Sequence, residues 1–409
     1  MKILWFTSSK LPVNELQGSG TWVTGMLELI QNYCPETTIT IVTKGSVQDK
    51  WKEDTPWCQQ WVIPIKRKIN KKEVEVVSEI IDLEKPDLIH IWGTEDIWGL
   101  LPFDEICPHI PRLLDMQGVV SSVADGFYAD LSFYERLKCW SFKEMIKPSS
   151  SLAFMKRNFQ RWIGKEEYII KHSKNISCQS DWVSGYIKRI NDSANLYTTG
   201  IALRNAFYKS KKWDHKSNSP FVLFSTAINS QPLKGLYTLY KAFGIVHKAH
   251  PESKLVLAGP VQTGIRKGGF CKQLDRYARR HGFYDAVKYL GTLSPEDLVS
   301  QYLGCNVFVN PSFVESYSMV VAEAMYLGVP TVASYTGAMG ELGPDDSVLY
   351  FPKGDYTMCA HQIMKILDNR KLAEEMSKKS IMIGQMRQSK ETIAKHQVEI
   401  YSDILIKKD

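Results

Sequence analysis

Residues 307–333 read VFVNPSFVESYSMVVAEAMYLGVPTVA, and their order decides the fold. Val307 to Val309 is a short apolar run of the kind buried in a parallel sheet, and the polar loop Asn310 to Tyr317 follows it. Met319 to Leu327 then reads as a helix. Gly328-Val329-Pro330 stops it, with a glycine cap followed by a proline that cannot continue. Thr331 to Ala333 is the next apolar run. Strand, loop, helix and strand in this succession are the repeating unit of a parallel sheet covered by helices.

The same unit recurs on both sides. Upstream, Phe221 to Phe224, a helix from Gly235 to about His247, and Leu255 to Ala258 before the turn Gly259-Pro260 make one set. Nearer the N-terminus, Ile3 to Thr7 is a strand. The turn Gln17-Gly18-Ser19-Gly20 follows, then Val23, Met26, Leu27, Ile30 and Cys34 at helical spacing, then the strand Ile39 to Thr43. A helix from Glu73 to Lys85 ends at Pro86. Leu88 to Trp92 is then a strand closed by the polar turn Gly93-Thr94-Glu95-Asp96, and Ile176 to Gln179 and Leu196 to Thr198 are later strands. Lys209 to Pro220, polar and basic without apolar period, reads as an interdomain linker. A chain of 409 residues exceeds one core, so the expectation is two Rossmann-like α/β domains facing across a cleft. The boundaries expected are 1–212 for an acceptor-side domain and 213–385 for a donor-binding domain. Residues 386–409 are a C-terminal helix for which a return to the first domain is an open option.

Composition excludes other classes. With 44% apolar and 23% charged residues the chain is of ordinary globular make-up. The apolar run at the N-terminus, Ile3 to Phe6, is too short for a signal peptide, and no stretch approaches the roughly 20 apolar residues of a membrane span. A cytoplasmic location is expected. The eight cysteines are scattered with no Cys-x-x-Cys pair, which predicts reduced thiols and no zinc site. The net charge of +7 matters through its distribution. From Arg136 to Lys174 ten basic residues stand against three acidic ones, interleaved with aromatic and aliphatic side chains, as in helices lying on an anionic membrane. A first-domain docking surface is therefore expected there, widened by the basic run Lys66 to Lys72. The competing reading is a solvated helix pair with its aromatics in the core. Nucleic acid is a poorer candidate, since no recognition motif is present.

Ligands of open parallel sheets sit beyond the carboxyl ends of strands. There, Glu315 and Glu323 stand with seven residues between them, one in the loop and one in the helix. Free amides from Ser318 to Val320 at the helix start suit a diphosphate. Spacing alone leaves open that both glutamates merely solvate the fold.

The run FVNPSFVESYSMVVAEAMYLGVPTVASYTGAMGELG resembles the donor-site signature of the retaining family-four glycosyltransferases of the GT-B fold (glycosyl transferases group 1). KLVLAGP resembles the strand and glycine before that family's donor cleft, with Gly259 as the glycine. VKYLGTLSPEDLVSQYLGCNVFVNPS resembles the stretch leading into the signature, and PLKGLYTLYKAF its Lys-Gly segment. PDLIHIWG and the turn Gly18 to Gly20 match its first domain. The resemblance implies that Glu315 meets hydroxyls of the transferred sugar, that Glu323 binds the ribose, and that Lys234 holds the diphosphate. Ser318, Met319, Val320, Gly259 and Gly20 fall on the donor side. Gly18 and Ser19, with Asp115 and Gln117, fall on the acceptor side. It implies sugar transfer from a nucleotide-sugar to a glycan or lipid-linked acceptor with retention, in polysaccharide or glycolipid biosynthesis.

The pattern departs in three places. The family's arginine before the lysine is absent from Ser225-Thr226-Ala227-Ile228-Asn229-Ser230, which leaves hydroxyls and amides, or Arg266 or Lys267, to take over. Gln117 stands where many members have a histidine, and it cannot act as a base. Ser318 replaces a common glycine, which a hydroxyl at a helix start should tolerate. No Asp-x-Asp motif is present, so no metal and no cofactor are expected. Rival readings are an epimerase or phosphorylase on the same fold, and a non-catalytic glycan or nucleotide-binding module. A nicotinamide oxidoreductase is disfavoured, because no Gly-x-Gly-x-x-Gly turn with a ribose-binding acid is present.

Overall fold

A computed structural model describes residues 1–8, 10–11, 21–64, 69–215, 220–227, 231–260 and 267–407. They divide into two compact units. The first comprises Met1–Val119, Trp162–Asn205 and Gln388–Asp409, and the second Val120–Arg161 and Ala206–Arg387.

The first unit is built on eight strands: β1 (Lys2–Phe6), β2 (Thr38–Lys44), β3 (Trp51–Asp54), β4 (Gln59–Ile63), β5 (Leu88–Trp92), β6 (Arg112–Asp115), β7 (Asn175–Cys178) and β8 (Asn195–Thr198). Their order is β3-β4-β2-β1-β5-β6-β7-β8, parallel except for the antiparallel edge pair of β3 and β4. Ile3, Leu4, Trp5 and Phe6 of the central strand are at most 1% exposed, because helices cover both faces; Leu4 and Phe6 enter one core, Ile3 and Trp5 the other. The chain builds outward from β1 through β2 and then returns to its other side at β5. That reversal leaves a crevice at the carboxyl ends of β1 and β5.

Helix Lys390–Ile406 lies in this unit, packed on helix Thr21–Tyr33. Its Tyr401 hydroxyl accepts from Trp5 Nε1 at 3.1 Å and lies 2.7 Å from His90 Nδ1. Burial drives the His90 pKa well down, so a neutral imidazole sits there as a core group.

The second unit has six strands: β9 (Val222–Ser225), β10 (Lys254–Leu257), β11 (Val287–Tyr289), β12 (Val307–Asn310), β13 (Thr331–Tyr335) and β14 (Val348–Pro352). The order β11-β10-β9-β12-β13-β14 is parallel throughout. Here the reversal falls between β9 and β12, so the loops after those two strands share one crevice.

Two segments differ from the sequence reading. Val120–Arg161 clusters with the second unit, although it lies within the 1–212 expected to form the first; helix Leu152–Lys171 passes from one unit to the other. The expected linker is packed rather than free over its first half. Trp213 is buried, its N–H donating to the Leu327 carbonyl at 2.7 Å and its indole N–H to the Cys305 carbonyl at 2.8 Å. Lys212 Nζ donates to the Tyr326 carbonyl and sits 3.5 Å from the centre of that ring. A tryptophan in a polar run finds a pocket for its ring and an acceptor for its N–H, which outweighs the local composition.

Candidate functional site

In the second unit two loops are fastened together at the β9/β12 reversal. Pro232–Lys234 is a short 3-10 turn, and Gly235 follows at φ +71°. A Cβ on Gly235 would overlap the Pro311 carbonyl oxygen, so only glycine brings the lysine loop this close to the loop after β12. The Phe313 N–H donates to the Leu233 carbonyl at 2.9 Å. Lys234 Nζ then lies 3.0 Å from Glu315 Oε1, with side-chain exposures of 39% and 11%.

The end of β13 braces the glutamate from the other side. The Ala338 N–H donates to the Glu315 carbonyl at 3.0 Å, Thr336 Oγ1 to the Phe313 carbonyl at 2.8 Å, and Ser334 Oγ to the Ser312 carbonyl. Gly337, at φ +53°, passes against the Glu315 backbone where a Cβ would overlap its oxygen. The loop holding Glu315 is thus fixed at its carbonyls while its carboxylate faces Lys234.

Helix Met319–Leu327 begins directly after. Its first amides, Met319 and Val320, have no acceptor among the described residues, and the macrodipole adds partial positive charge there. Ser318 precedes them at φ +76°, ψ 79°, and makes no side-chain cap bond. The position needs left-handed backbone, which is why glycine suits it; the serine expected to be tolerated there sits in that conformation, and its hydroxyl accepts from Asn310 Nδ2 at 3.0 Å rather than capping the helix. Glu323, 3% exposed, lies one turn on; Tyr302 Oη is 3.4 Å from its Oε2 and donates to the Val320 carbonyl at 3.0 Å.

Gly259, two residues beyond β10, is at φ +130°, its N–H on the Gly291 carbonyl at 2.8 Å. Lys267, a candidate for the missing arginine, is paired with Asp275. Arg266 and Ile228 to Ser230 lie outside the described residues, as do Gly18, Ser19 and Gly20 and, in the second basic run, Lys66 to Lys68.

The first unit gathers polar groups at the ends of β5 and β6. Asp115 is fully buried; Ser177 Oγ donates to it at 2.8 Å, and Gln179 Nε2 lies 3.1 and 3.2 Å from its two oxygens. Burial raises its pKa to about 7 against those bonds, and the nearby Glu95 adds to the rise. Gln117 keeps partial exposure, yet its amide nitrogen is buried without a partner.

Glu95 was read in sequence only as part of a turn, and the structure places it beside these groups. A Cβ at Gly93 or at Gly118 would crowd its carboxylate, and the same point at Gly93 lies 3.7 Å from Gln117 Oε1. Its side chain reaches solvent but lies deep among protein atoms. Burial raises its pKa, with Glu166 and Asp96 contributing. The two glycines that make room for it were the available sequence signal. Among the described residues no cation pairs with Glu95 or Asp115.

Residues 207–381 match the family model described as glycosyl transferases group 1. A D-inositol 3-phosphate glycosyltransferase from Corynebacterium kroppenstedtii is 32% identical over 112 residues, which are 27% of this chain and 24% of the relative. The alignment thus spans about a quarter of that relative's length. Among solved structures, a sucrose-phosphate synthase from Thermosynechococcus elongatus is 17% identical with a TM-score of 0.72, covering 99% of both chains. The Anabaena protein HepE in complex with UDP-glucose is 16% identical with a TM-score of 0.68, covering 98% of this chain and 100% of its own. At such identities the likeness establishes the fold, which is GT-B over nearly the whole chain.

Proposed function

We propose, from the match of residues 207–381 to the glycosyl transferases group 1 model, that the chain transfers a sugar from a nucleotide-sugar donor to a glycan or lipid-linked acceptor, with retention. The observation that carries this is the Lys234–Glu315 pair, 3.0 Å apart at the β9/β12 reversal beside the open amides of Met319 and Val320. A half-exposed pair of this kind contributes about 1 kcal/mol or less. An incoming diphosphate competes readily for the ammonium and frees the carboxylate for sugar hydroxyls. In this reading Glu315 orients the transferred sugar, Lys234 and the helix amides take up charge growing on the leaving diphosphate, and Glu323 accepts from the ribose. Gly259 gives the donor close backbone approach, and the resemblance assigns Gly20, outside the described residues, to the donor as well. UDP-glucose in HepE supports a nucleotide-sugar donor here.

The acceptor hydroxyl oxygen bonds to the anomeric carbon on the face from which the diphosphate oxygen departs. The electron pair of the broken bond stays on that oxygen, and the hydroxyl proton passes to it. No protein nucleophile is required; positioning and charge stabilisation supply the rate. Gly18, Ser19, Asp115 and Gln117 form the acceptor side of this reading, joined by Glu95. We read the reaction as metal-free and cofactor-free, and the enzyme as cytoplasmic, working in polysaccharide or glycolipid assembly at the inner face of a membrane. No helix among the described residues is long and apolar enough to cross one.

Thermal shift against a panel of nucleotide sugars tests the donor claim, since a ligand at a hundred times its Kd stabilises by about 2.7 kcal/mol. The expected outcome is a shift with one nucleotide class, reduced in Glu323→Gln by about tenfold in affinity with the fold intact. Unchanged affinity overturns the ribose role. Nucleoside diphosphate should appear only when acceptor is supplied, which separates transfer from epimerisation or mere binding. It should persist in chelator; loss restored by magnesium or manganese overturns the metal-free reading.

A further inference from the structure

Between Phe133 and Ile146 seven large apolar side chains stand half or more exposed, out of thirteen such residues among those described; Tyr134 reaches 74%, Met145 70%, and Phe142 and Ile146 69%. They lie on and between two short helices, Phe133–Lys138 and Phe142–Ile146, each begun by a capping box, Ser132 with Glu135 and Ser141 with Glu144. The sequence thus fixes two helical turns firmly and leaves their apolar side chains uncovered. Seven exposed apolar side chains within one short segment mark a contact site.

The charges are sorted as well. Three carboxylates of the segment are engaged by the body of the second unit: Tyr237 Oη donates to Glu135 Oε1 at 2.6 Å, the Gly269 N–H to Glu144 Oε1 at 3.0 Å, and Lys241 pairs with Asp130 at 3.0 Å. Arg276 Nη1 donates to the Lys138 carbonyl at 3.2 Å, and a Cβ on Gly269 would overlap the Cys139 carbonyl, so the helices are seated tightly. From Arg136 to Arg161 seven cations then face Glu144 as the single acid, and Lys138, Lys147, Arg157 and Arg161 are exposed. Exposed aromatic and aliphatic side chains with outward cations and inward acids complement an anionic interface.

We propose that residues 133–157, carried by the donor-binding unit, seat the protein on an anionic phospholipid bilayer. This corrects the docking surface expected from sequence, which extended to Lys174 and belonged to the first domain. The segment beyond Arg161 enters the first unit's core, where Ile169 and Ile170 are at most 2% exposed and the Trp162 indole donates to the Thr94 carbonyl at 2.7 Å. The inference deepens the membrane-face reading above and rests on it for its purpose. The vesicle test itself needs no turnover.

The full chain should co-sediment at low salt with vesicles of phosphatidylglycerol and phosphatidylcholine, and at least tenfold less with phosphatidylcholine alone. Phe142→Glu combined with Ile146→Glu should weaken that binding tenfold or more while the melting temperature and donor-induced shift stay unchanged. Lys147→Glu with Arg157→Glu should abolish the preference for the anionic lipid. Absence of wild-type binding at low salt, or wild-type binding in both variants, overturns the proposal. So does a result in which the apolar variant dissolves a dimer yet still binds vesicles, which would make the face an interface between copies. Donor-induced stabilisation and diphosphate release measured without lipid report on the glycosyltransferase reading separately.

Discussion

After the strand ends of the second unit a lysine faces a glutamate across 3.0 Å, whereas at those of the first stand two carboxyl groups, Glu95 and Asp115, to which no cation is paired among the described residues. Both crevices arise at the same topological feature, a reversal of strand order in a parallel sheet. The chemistry placed there differs, as the proposed division between donor and acceptor requires. A cation beside helix amides suits a diphosphate that gains charge as it leaves. Carboxyl and amide groups held in a low-dielectric pocket suit neutral hydroxyls, which they bind by hydrogen bonds. The fold supplies two equivalent places, and a handful of side chains divides the labour.

The comparison breaks most decisively at Glu315. Glu315→Gln keeps the size of the side chain and a hydrogen bond to Lys234, so the fold should survive with little change in melting temperature. Turnover should fall about a hundredfold or more, since a misplaced sugar hydroxyl costs transition-state geometry. Steady-state kinetics with the donor found by thermal shift checks this. A rate within a few fold of wild type would remove the glutamate from the machinery.

A smaller effect sharpens the first unit's side. The Asp115 pKa is raised from 3.8 to about 7, chiefly by burial. Between those values the folded chain keeps a proton that the unfolded chain releases, so this group's contribution to stability is whole below about pH 4, declines as pH rises, and is gone above about 7. Asp115→Asn is neutral throughout. Its melting temperature should fall less than wild type's between pH 4 and 7, and at pH 8 it should be the more stable, by on the order of 2 kcal/mol. Gln179 aids the exchange, because its Oε1 is buried without a partner and an amide flip lets it accept from the new asparagine. Parallel pH profiles for the two proteins would contradict a buried, proton-holding Asp115.

Sequence reading placed the strand, loop and helix around Glu315 closely and the first unit's polar cluster only in outline, and the reason is physical. Strong signals marked the former: the apolar run of β12, the Gly328-Val329-Pro330 stop, and helix Met319–Leu327, whose bounds coincide with those read from sequence. β6 and β11 were missed because RLLD and VKY are short and carry charge; β6 is buried by its neighbours rather than marked by a local pattern, and β11 is a partly exposed edge strand. Glu95 was passed over because a carboxylate in a polar turn looks merely solvated, and its approach to Gly93 and Gly118 belongs to the fold rather than to the local sequence. The attachment of Val120–Arg161 to the second unit had no local signal. It rests on contacts such as Glu135 to Tyr237 across about a hundred residues, which periodicity does not report.

The finest test concerns how firmly the second unit's loop is held, and Ser318 is its gauge. Two effects oppose each other there: left-handed backbone costs an L-residue about 1–2 kcal/mol, while its hydroxyl satisfies the buried Asn310 amide at 3.0 Å, a bond whose loss costs about 1 kcal/mol or more. Ser318→Ala keeps the strained backbone and loses the bond, and should destabilise. Ser318→Gly loses the same bond but relieves the strain, so the glycine variant should lie near wild type. The difference between the two variants isolates the backbone term, because neither has the hydroxyl. It should be about 1 kcal/mol in favour of glycine, roughly 2–4 °C in melting temperature for a domain of this size. Equal melting temperatures for the two would mean that the helix entry relaxes out of the left-handed region. The loop that presents Glu315 to Lys234 would then be looser than the hydrogen bonds from Ala338, Thr336 and Ser334 imply.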